Sequence, residues 1–458
     1  MQNVYYLNNY RPISNLSFAS KLVERSIAAR FVKHCDQNHL FPVRQSAYRR
    51  HHSTETAVLI VHNDVIRAID DGKLTVMLFL DLSSAFDTVD HDIMLSILRR
   101  RFSVEGAALN WFHSYLTDRS QTFSVGDSNS DPLDVSCSVP QGSVLGPVEF
   151  VAYTEDVVEL FDQHEVNHHM YADDQHIYLH TIPDSASTAL TRLAGCFADL
   201  SGWCASRRLQ LNAAKTELIW FGSRAMLRRL TGDNRSLSIG SVVVDSVDVV
   251  RDLGVLLDSE MTMKQHINHV VSVGYYHLRR LRQLRRHITQ DVMKQLVFSL
   301  ILCRIDYCNS ILIGLPACSI APLQRLQNAA ARLVMGLRAR DHVTSALASL
   351  HWLPVHFRIM YKVALTMFYI HTNQCPAYLS NIVIPLHSNP SRQRLRSSAG
   401  TDYLIPRTRT KLGERSFSVA GPTTWNSLPE TVRAVTDTTA FKRVLKTHFF
   451  NIAFISSN

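Results

Sequence analysis

Three aspartates stand where predicted strands end, and together they suit metal-assisted chemistry. Asp81 follows the apolar run 74–80, and Asp173 and Asp174 lie at the turn of a predicted strand–turn–strand hairpin. Carboxylates gathered at one sheet edge repel one another unless cations neutralise them. Oxygen ligands select Mg²⁺ or Mn²⁺, and two such ions activate a hydroxyl and stabilise leaving phosphate oxygens. Either motif alone is more simply a turn-forming Asp, but the two together, with a P-Q-G loop between them, favour a metal site.

The elements that must position these aspartates follow from apolar periodicity and turn residues. We predict strands or hairpins at 74–80, 124–139, 168–180, 218–221 and 253–257. We predict helices at 92–102, 107–116, 186–208, 275–288, 322–337 and 439–450, and one after the loop 140–147 that runs toward residue 160. Residues 387–411, rich in Arg, Ser and Pro, predict a loop or loosely ordered basic segment.

Charge divides the 458-residue chain into an acidic front and a basic back. Residues 258–458 hold 25 Lys and Arg against 9 Asp and Glu, a net of +16, which leaves −7 for residues 1–257. A basic half of this size favours binding to a nucleic acid over a merely solvated surface. No apolar run approaches the ~18 residues of a membrane helix, and no signal peptide is recognisable. We therefore expect an intracellular protein of the nucleus or cytoplasm, not a secreted or membrane protein.

Several motifs, in a fixed order, carry a resemblance to a known family. The chain contains F-L-D-L-S-S-A-F-D, S-V-P-Q-G-S-V-L-G-P, Y-A-D-D and L-Q-L-N-A-A-K-T-E, in that order. It thereby closely resembles reverse transcriptases of non-LTR (LINE-type) retrotransposons. Upstream, N-Y-R-P-I-S-N-L and Q-S-A-Y-R-R-H-H-S-T-E-T-A resemble the finger motifs of these proteins, and V-R-D-L-G-V-L-L-D resembles the strand that joins palm to thumb. The tail motifs H-W-L-P-V, P-R-T-R and W-N-S-L-P resemble CR1/L2- and jockey-like elements.

The resemblance implies an α+β, right-hand polymerase fold. Residues 1–257 would form fingers and a palm with an antiparallel sheet, 258–340 a helical thumb, and 341–458 a basic, mainly helical C-terminal region. Related elements carry an endonuclease before the finger motifs, and we expect this chain to lack one. The implied partners are an RNA template, a DNA primer and dNTP substrates, and protein partners are left open.

The resemblance also assigns roles to individual residues. Asp81, Asp173 and Asp174, with the Leu82 carbonyl, would hold two Mg²⁺ or Mn²⁺ ions. Phe86 would be the aromatic residue that selects the nucleotide by excluding a 2′-OH. Gln141 and Gly142 would make close contacts to template and nucleotide. Lys215 would be a general acid for pyrophosphate, and Arg11, Lys21 and Arg49 would contact the triphosphate.

A basic helix face beyond residue 258 is implied to contact the primer–template duplex through phosphates. Its arginines are Arg279, Arg280, Arg282, Arg285 and Arg286, and its apolar stripe (Tyr275, Leu278, Leu281, Leu284 and Ile288) is expected to lie against the sheet. A solvated helix face is the simpler alternative.

Besides the expected lack of an endonuclease, three departures from the family pattern keep a second function open. Ser138 stands where a Gly usually precedes V-P-Q-G, Tyr48-Arg49-Arg50-His51 replaces part of a Gly-containing F-R-P-G-H loop, and Glu149 occupies a normally apolar helix position. A buried, unpaired Glu149 would cost several kcal/mol or have a strongly shifted pKa. The alternative is therefore a catalytically inactive remnant that only binds RNA or RNA–DNA hybrids. An RNA-templated RNA polymerase is disfavoured by Phe86.

Overall fold

A computed structural model describes residues 13–83, 85–212, 215–230, 232–239, 242–338, 340–386 and 401–455. Arg11 and positions 387–400 of the predicted basic segment lie outside these residues. The strands are β1 (Leu74–Leu80), β2 (Leu82–Ser83), β3 (Ser120–Gln121), β4 (Ser124–Val125), β5 (Ser128–Asn129), β6 (Leu133–Asp134), β7 (Asn167–Tyr171), β8 (Asp174–Thr181), β9 (Gln210–Leu211), β10 (Glu217–Phe221), β11 (Ser236–Ile239), β12 (Val242–Val247), β13 (Val249–Asp252) and β14 (Val255–Asp258).

The helices surround these strands and make up most of the chain beyond residue 258. They are α1 (Phe18–Gln37), α2 (Thr54–Asp70), α3 (His91–Arg100), α4 (Gly106–Leu116), α5 (Gly146–Tyr153), α6 (Val157–Gln163), α7 (Ala186–Ser206), α8 (Arg224–Leu227), α9 (Lys264–Leu284), α10 (Gln290–Val297), α11 (Cys303–Asp306), α12 (Ala317–Met335), α13 (Thr344–Ser349), α14 (Val355–His371), α15 (Ala377–Ser380), α16 (Phe417–Asn426), α17 (Glu430–Arg433) and α18 (Thr438–Phe454). Among the described residues, no helix has both the length and the apolar character needed to cross a membrane.

The central sheet has six strands in the order β11-β12-β10-β1-β8-β7, and its pairs are antiparallel except for the parallel pair β10–β12. Every residue of β1 is buried because the sheet is covered on both faces. Alternate side chains of a strand point to opposite faces, so the side chains of β1 divide between two cores. Val76 and Leu78 join one core, and Met77 and Phe79 join the other. The predicted strand 74–80 and hairpin 168–180 are confirmed.

The core that contains Met77 and Phe79 extends far beyond the sheet. It joins α2 and this face of the sheet to α9, α10 and α12 and to C-terminal side chains such as Trp425 and Phe441. The described end of the predicted basic segment also packs onto α2. There the Asp70 carboxylate accepts hydrogen bonds from the backbone N–H groups of Arg409 (3.0 Å) and Thr410 (2.8 Å). The chain around Arg409 and Thr410 therefore packs onto the helix that flanks the sheet.

Two predicted helices and one predicted packing contact differ from the structure. The helix expected after residue 147 is two helices, α5 and α6. The helix predicted over 275–288 is α9, which ends at Leu284, and Tyr275 and Leu284 are 39% and 46% exposed. The leucine face of α9 packs against α12 rather than the central sheet, and a Cβ at Gly274 would lie only 2.4 Å from Leu326. A glycine at this crossing lets the two helices approach closely.

Candidate active site

The sheet register brings Asp81 and Asp174 to neighbouring strand ends. Leu80 of β1 pairs with Gln175 of β8, so the next residue along β1, Asp81, lies across from Asp174, the first residue of β8. Directly opposed residues of an antiparallel pair have Cβ atoms roughly 5 Å apart. Asp173 lies in the turn between β7 and β8, beside Asp174. As placed, no three His, Cys, Asp or Glu side chains of the described residues form a ready-made metal cluster.

The carboxylates interact through their charges. Burial, together with the charges of Asp173 and more weakly of Asp81, raises the pKa of Asp174 to about 6. Lys215 places its ammonium 3.0 Å from Asp81 Oδ2, and the side chain of this lysine is 65% exposed. The backbone of Asn212 donates to the Asp81 carbonyl at 2.9 Å. One cation of the chain thus already offsets one of the three negative charges, and the repulsion on Asp174 remains.

This donor set fits a divalent cation. Carboxylate oxygens on adjacent strand ends are hard ligands, and a cation there would relieve the repulsion that raises the pKa of Asp174. The Leu82 carbonyl belongs to β2, which pairs with β9 immediately after Asp81. The residues predicted to hold metal are therefore adjacent along the chain or across the ladder.

The P-Q-G loop and the turn after Asp81 are joined to each other. Gln141 Nε2 donates to Asp87 Oδ1 at 2.8 Å, and the Gln141 carbonyl accepts from Ser14 N at 2.8 Å. Gly142 has a φ of +94°, and a Cβ there would contact Ile13. The ring of Phe86 stacks on Phe150 with centroids 4.7 Å apart. The loop conformation thus requires glycine at position 142. Phe86, the aromatic residue predicted to select the nucleotide, is partly packed against the core.

A segment that we call the fingers turn (residues 44–53) lies against the hairpin of β7 and β8. Its backbone pairs with β7 through Ser46 N to the Met170 carbonyl (2.9 Å) and Met170 N to the Arg44 carbonyl (3.0 Å). The buried Gln45 side chain accepts from Ala172 N at 3.1 Å. Ala172 has a left-handed φ of +57° and directly precedes Asp173. The Gln45 side chain therefore holds Ala172 in its left-handed conformation, and Ala172 positions the turn that contains Asp173.

The residues predicted to contact the triphosphate lie in different parts of the chain. The Arg49 guanidinium donates to the backbone carbonyls of Pro42 and Gln45 and lies over the Phe41 ring, so in this conformation it stabilises the fingers turn. Lys21 belongs to the first turn of α1, and Arg11 lies outside the described residues. Their nucleotide contacts stay predictions.

The C-terminal region reaches the same turn. The Tyr378 hydroxyl lies 2.8 Å from Ser46 Oγ and donates to Thr56 Oγ1 at 3.0 Å. Ser46 Oγ in turn lies 2.9 Å from His169 Nε2 on β7. Thr56 belongs to the capping box that begins α2. One buried hydroxyl thus links the start of α2, the fingers turn and the hairpin of β7 and β8.

Four of the five predicted duplex-binding arginines are exposed. Arg279, Arg280 and Arg282 lie on α9 and Arg286 follows it. Arg280 also lies over the Tyr276 ring, 5.7 Å from its centroid. Arg285 is different, because its guanidinium donates to the carbonyls of Leu333 (3.1 Å) and Val334 (3.4 Å) near the end of α12. Its position is that of a helix cap.

Sequence reasoning missed several residues that position the site. Gln45 and Tyr378 are two, and Asp252 is a third: it is fully buried, with Oδ1 3.4 Å from His176 Nε2 behind Asp174. Burial raises the pKa of Asp252 to about 7 and lowers that of His176 to about 4, which favours a neutral pair. Only Asp252 had a sequence signal, a carboxylate inside an otherwise apolar strand motif.

All three departures from the family pattern have physical consequences. Ser138 has a φ of +103° and His51 one of +66°, conformations that glycine adopts without strain. Glu149 is fully buried on α5, and neither carboxylate oxygen has a hydrogen-bond partner among the described residues. Burial and the nearby charge of Glu24 raise the pKa of Glu149 to about 8. The strong pKa shift expected for Glu149 is present.

The sheet, with aspartates at the joined ends of β1 and β8 and helices on both faces, is the palm of a right-hand polymerase. The chain belongs to the reverse transcriptase (RNA-dependent DNA polymerase) family, which matches residues 3–256, more than half of its length. That match contains all three aspartates. The fold class predicted from the motifs is confirmed.

Similar proteins come from mobile elements of Drosophila melanogaster. The probable RNA-directed DNA polymerase from transposon BS is 31% identical over 281 residues, 60% of this chain and 30% of that protein. The RNA-directed DNA polymerase from mobile element jockey is 28% identical over 269 residues, 58% of this chain and 28% of that protein. The predicted resemblance to non-LTR reverse transcriptases is thereby confirmed. The chain spans less than a third of the length of these relatives.

Among solved structures, apo telomerase from Candida Tropicalis covers 72% of this chain and 58% of its own, with a TM-score of 0.38 and 8% identity. A similarity of this size adds nothing to the argument.

Proposed function

We propose that the chain is an RNA-directed DNA polymerase of a non-LTR retrotransposon, which extends a DNA primer on an RNA template. The observation that carries this proposal is the placement of Asp81 opposite Asp174, with Asp173 beside it, within the part of the chain that matches the family. The primer 3′-hydroxyl would attack the α-phosphate of a dNTP, and pyrophosphate would leave. Such reactions depend chiefly on positioning and charge stabilisation.

The family uses divalent metal ions, and we propose that two Mg²⁺ or Mn²⁺ ions are held by Asp81, Asp173, Asp174 and the Leu82 carbonyl. When bound, such ions supply activation of the hydroxyl and stabilisation of charge on phosphate oxygens. The chain itself positions the carboxylates: the β1–β8 ladder and the Gln45–Ala172 hydrogen bond hold them at the sheet edge.

Lys215 is the proposed proton donor to the departing pyrophosphate. Its ammonium is exposed and lies 3.0 Å from Asp81, so it stands at the edge where phosphate charge would develop. Phe86 would lie under the incoming sugar and exclude a ribose 2′-hydroxyl, while Gln141 and Gly142 would approach the nucleotide and template. The arginines of α9 would contact the duplex through its phosphates.

We further propose fingers and palm over residues 1–257, a thumb over 258–340 and a C-terminal region over 341–458, in a protein that works inside the cell where RNA and dNTPs are present. None of the comparisons favours the alternative of an inactive nucleic-acid-binding remnant.

The test is primer extension with purified protein on matched RNA and DNA templates, with either dNTPs or rNTPs. We expect extension on RNA with dNTPs and little with rNTPs. Phe86→Ala should raise the ratio of rNTP to dNTP incorporation at least tenfold, because roughly 1.4 kcal/mol of steric discrimination corresponds to that factor. A general loss of folding lowers both rates and leaves their ratio unchanged. An unchanged ratio in active enzyme would make Phe86 a core residue only.

A further inference from the structure

One half-buried face of α14 lines two connected clefts on the C-terminal region. Positions spaced three and four apart share one face of a helix. The residues of this face that line open clefts are Arg358, Tyr361, Lys362, Leu365, Thr366 and Tyr369. At 1.5 Å per residue they extend over about 17 Å. We call this surface the α14 track.

One end of the α14 track opens into a cleft of about 600 Å³. Its walls include Lys294 and Phe298, at the end of α10, and Lys446 of α18. The Phe298 side chain is a large apolar group that is nevertheless 52% exposed. An exposed aromatic ring that lines the same cleft as two ammonium groups suits a ligand with both flat rings and negative charge.

The other end of the track opens into a cleft of about 460 Å³ beside the fingers turn. His51 and His52 line this cleft, and Lys362 lines both clefts, so the two meet at that residue. The same turn hydrogen-bonds to β7, from Ser46 N to the Met170 carbonyl at 2.9 Å. The track therefore leads from the C-terminal region toward the hairpin of β7 and β8.

The charges of the track are unbalanced. Its carboxylates are already paired: Glu55 with Lys362 at 2.5 Å, and Asp306 with Arg358 at 2.6 Å. Lys294 and Lys446 have no carboxylate within 4.0 Å among the residues that the structure describes. Two unpaired ammonium groups beside an exposed aromatic ring are the features with which proteins bind single-stranded nucleic acid, by phosphate contact and base stacking.

We propose that the α14 track binds the unpaired RNA template strand ahead of the polymerase site. This inference rests on the proposed function for the identity of the strand. A double helix has its bases stacked inside, so Phe298 would have no base to contact, whereas an unpaired strand offers both its phosphates and its bases. The C-terminal region would then add template affinity that the family-matched residues 3–256 do not supply.

The experiment compares the dissociation constants of two primer–template duplexes whose RNA template extends about two or about twelve nucleotides beyond the primer, below and within the usual site size of a single-strand groove. We expect the long overhang to bind about tenfold more tightly to the wild-type chain. Lys294→Gln with Lys446→Gln should remove most of that gain, and Phe298→Ala should reduce it severalfold. Because each lost single-strand phosphate contact changes the salt slope by about 0.7, the double variant should lower the slope by about 1.4.

The matched control removes two charges elsewhere, with Arg99→Gln and Arg100→Gln, exposed residues of α3 outside both clefts. It should keep the overhang gain. The proposal is overturned if wild type binds both overhangs equally, or if the Lys294/Lys446 variant keeps the full gain. Failure of the polymerase function is distinguishable, because it would abolish extension on both templates without altering these binding differences.

Discussion

Glu149 allows a quantitative test of how a buried, unpartnered carboxyl affects this palm. Burial and the charge of Glu24 raise its pKa to about 8, from an ordinary value of 4.5. Each unit of difference corresponds to about 1.4 kcal/mol, so ionisation should cost the folded state roughly 5 kcal/mol once the pH exceeds 8. Glu149→Gln keeps the shape of the side chain and removes the ionisation.

The direction of the pH dependence of stability follows from the raised pKa of Glu149. Below pH 4.5 the Glu149 carboxyl is protonated in both the folded and the unfolded chain, so its ionisation takes nothing from the free energy of unfolding. Between pH 4.5 and about 8 only the unfolded state loses the proton, so wild type should lose about 1.4 kcal/mol per pH unit relative to Glu149→Gln. Above pH 8 the difference should be constant. The variant should therefore be more stable than wild type by roughly 3 kcal/mol at pH 7.

Urea unfolding at pH 5, 6, 7 and 8 measures this difference, and comparison with the variant cancels the titration of other groups such as Asp252. Glu260→Gln, which changes an exposed carboxylate, should follow wild type at every pH. Parallel curves for wild type and Glu149→Gln would show that Glu149 finds a partner or reaches water, and would refute the reasoning.

Three further changes test the backbone and the C-terminal contact by urea unfolding. Ser138→Gly should stabilise the chain by about 1 kcal/mol, because glycine adopts a φ of +103° without strain; a loss of stability would contradict this. Gly413→Ala should destabilise by about 1–3 kcal/mol, since its Cβ would lie 2.4 Å from Asp70, whereas Gly202→Ala, in open space on α7, should be neutral or stabilising. Equal effects at the two glycines would refute the close packing. Tyr378→Phe should cost about 1 kcal/mol through its lost hydroxyl bonds, and an unchanged stability would mean that those bonds are replaced by water.

Local patterns predicted the elements that carry the aspartates. The apolar run of β1 and the alternating hairpin around Asp173 and Asp174 depend on periodicity within one segment, so a single sequence contains the information. The order of the motifs then identified the family. Ser138 and Glu149 were also recognisable, because each departs from the family pattern at a position where the structure shows a positive φ or an unpartnered buried carboxyl.

Contacts between residues that are far apart in the chain could not be predicted from the sequence. Tyr378 contacts Ser46 across 332 positions of the chain, and no periodicity indicates such a pair. The residue after the end of α9, Arg285, caps α12, and this role depends on the packing of the two helices against each other. The predicted basic face therefore lost one arginine to a structural role, for reasons that only the tertiary contacts contain.

We propose that Asp81, Asp173 and Asp174 form one site that joins a deoxynucleotide to a primer. Incorporation of a single dNTP on an RNA template with Mg²⁺ tests this proposal, for wild type and for Asp174→Asn, after circular dichroism has shown that both are folded. We expect incorporation by wild type and a loss of at least a thousandfold in the variant, equivalent to about 4 kcal/mol of transition-state stabilisation. Equal incorporation by folded wild type and variant, or none by wild type, would contradict it.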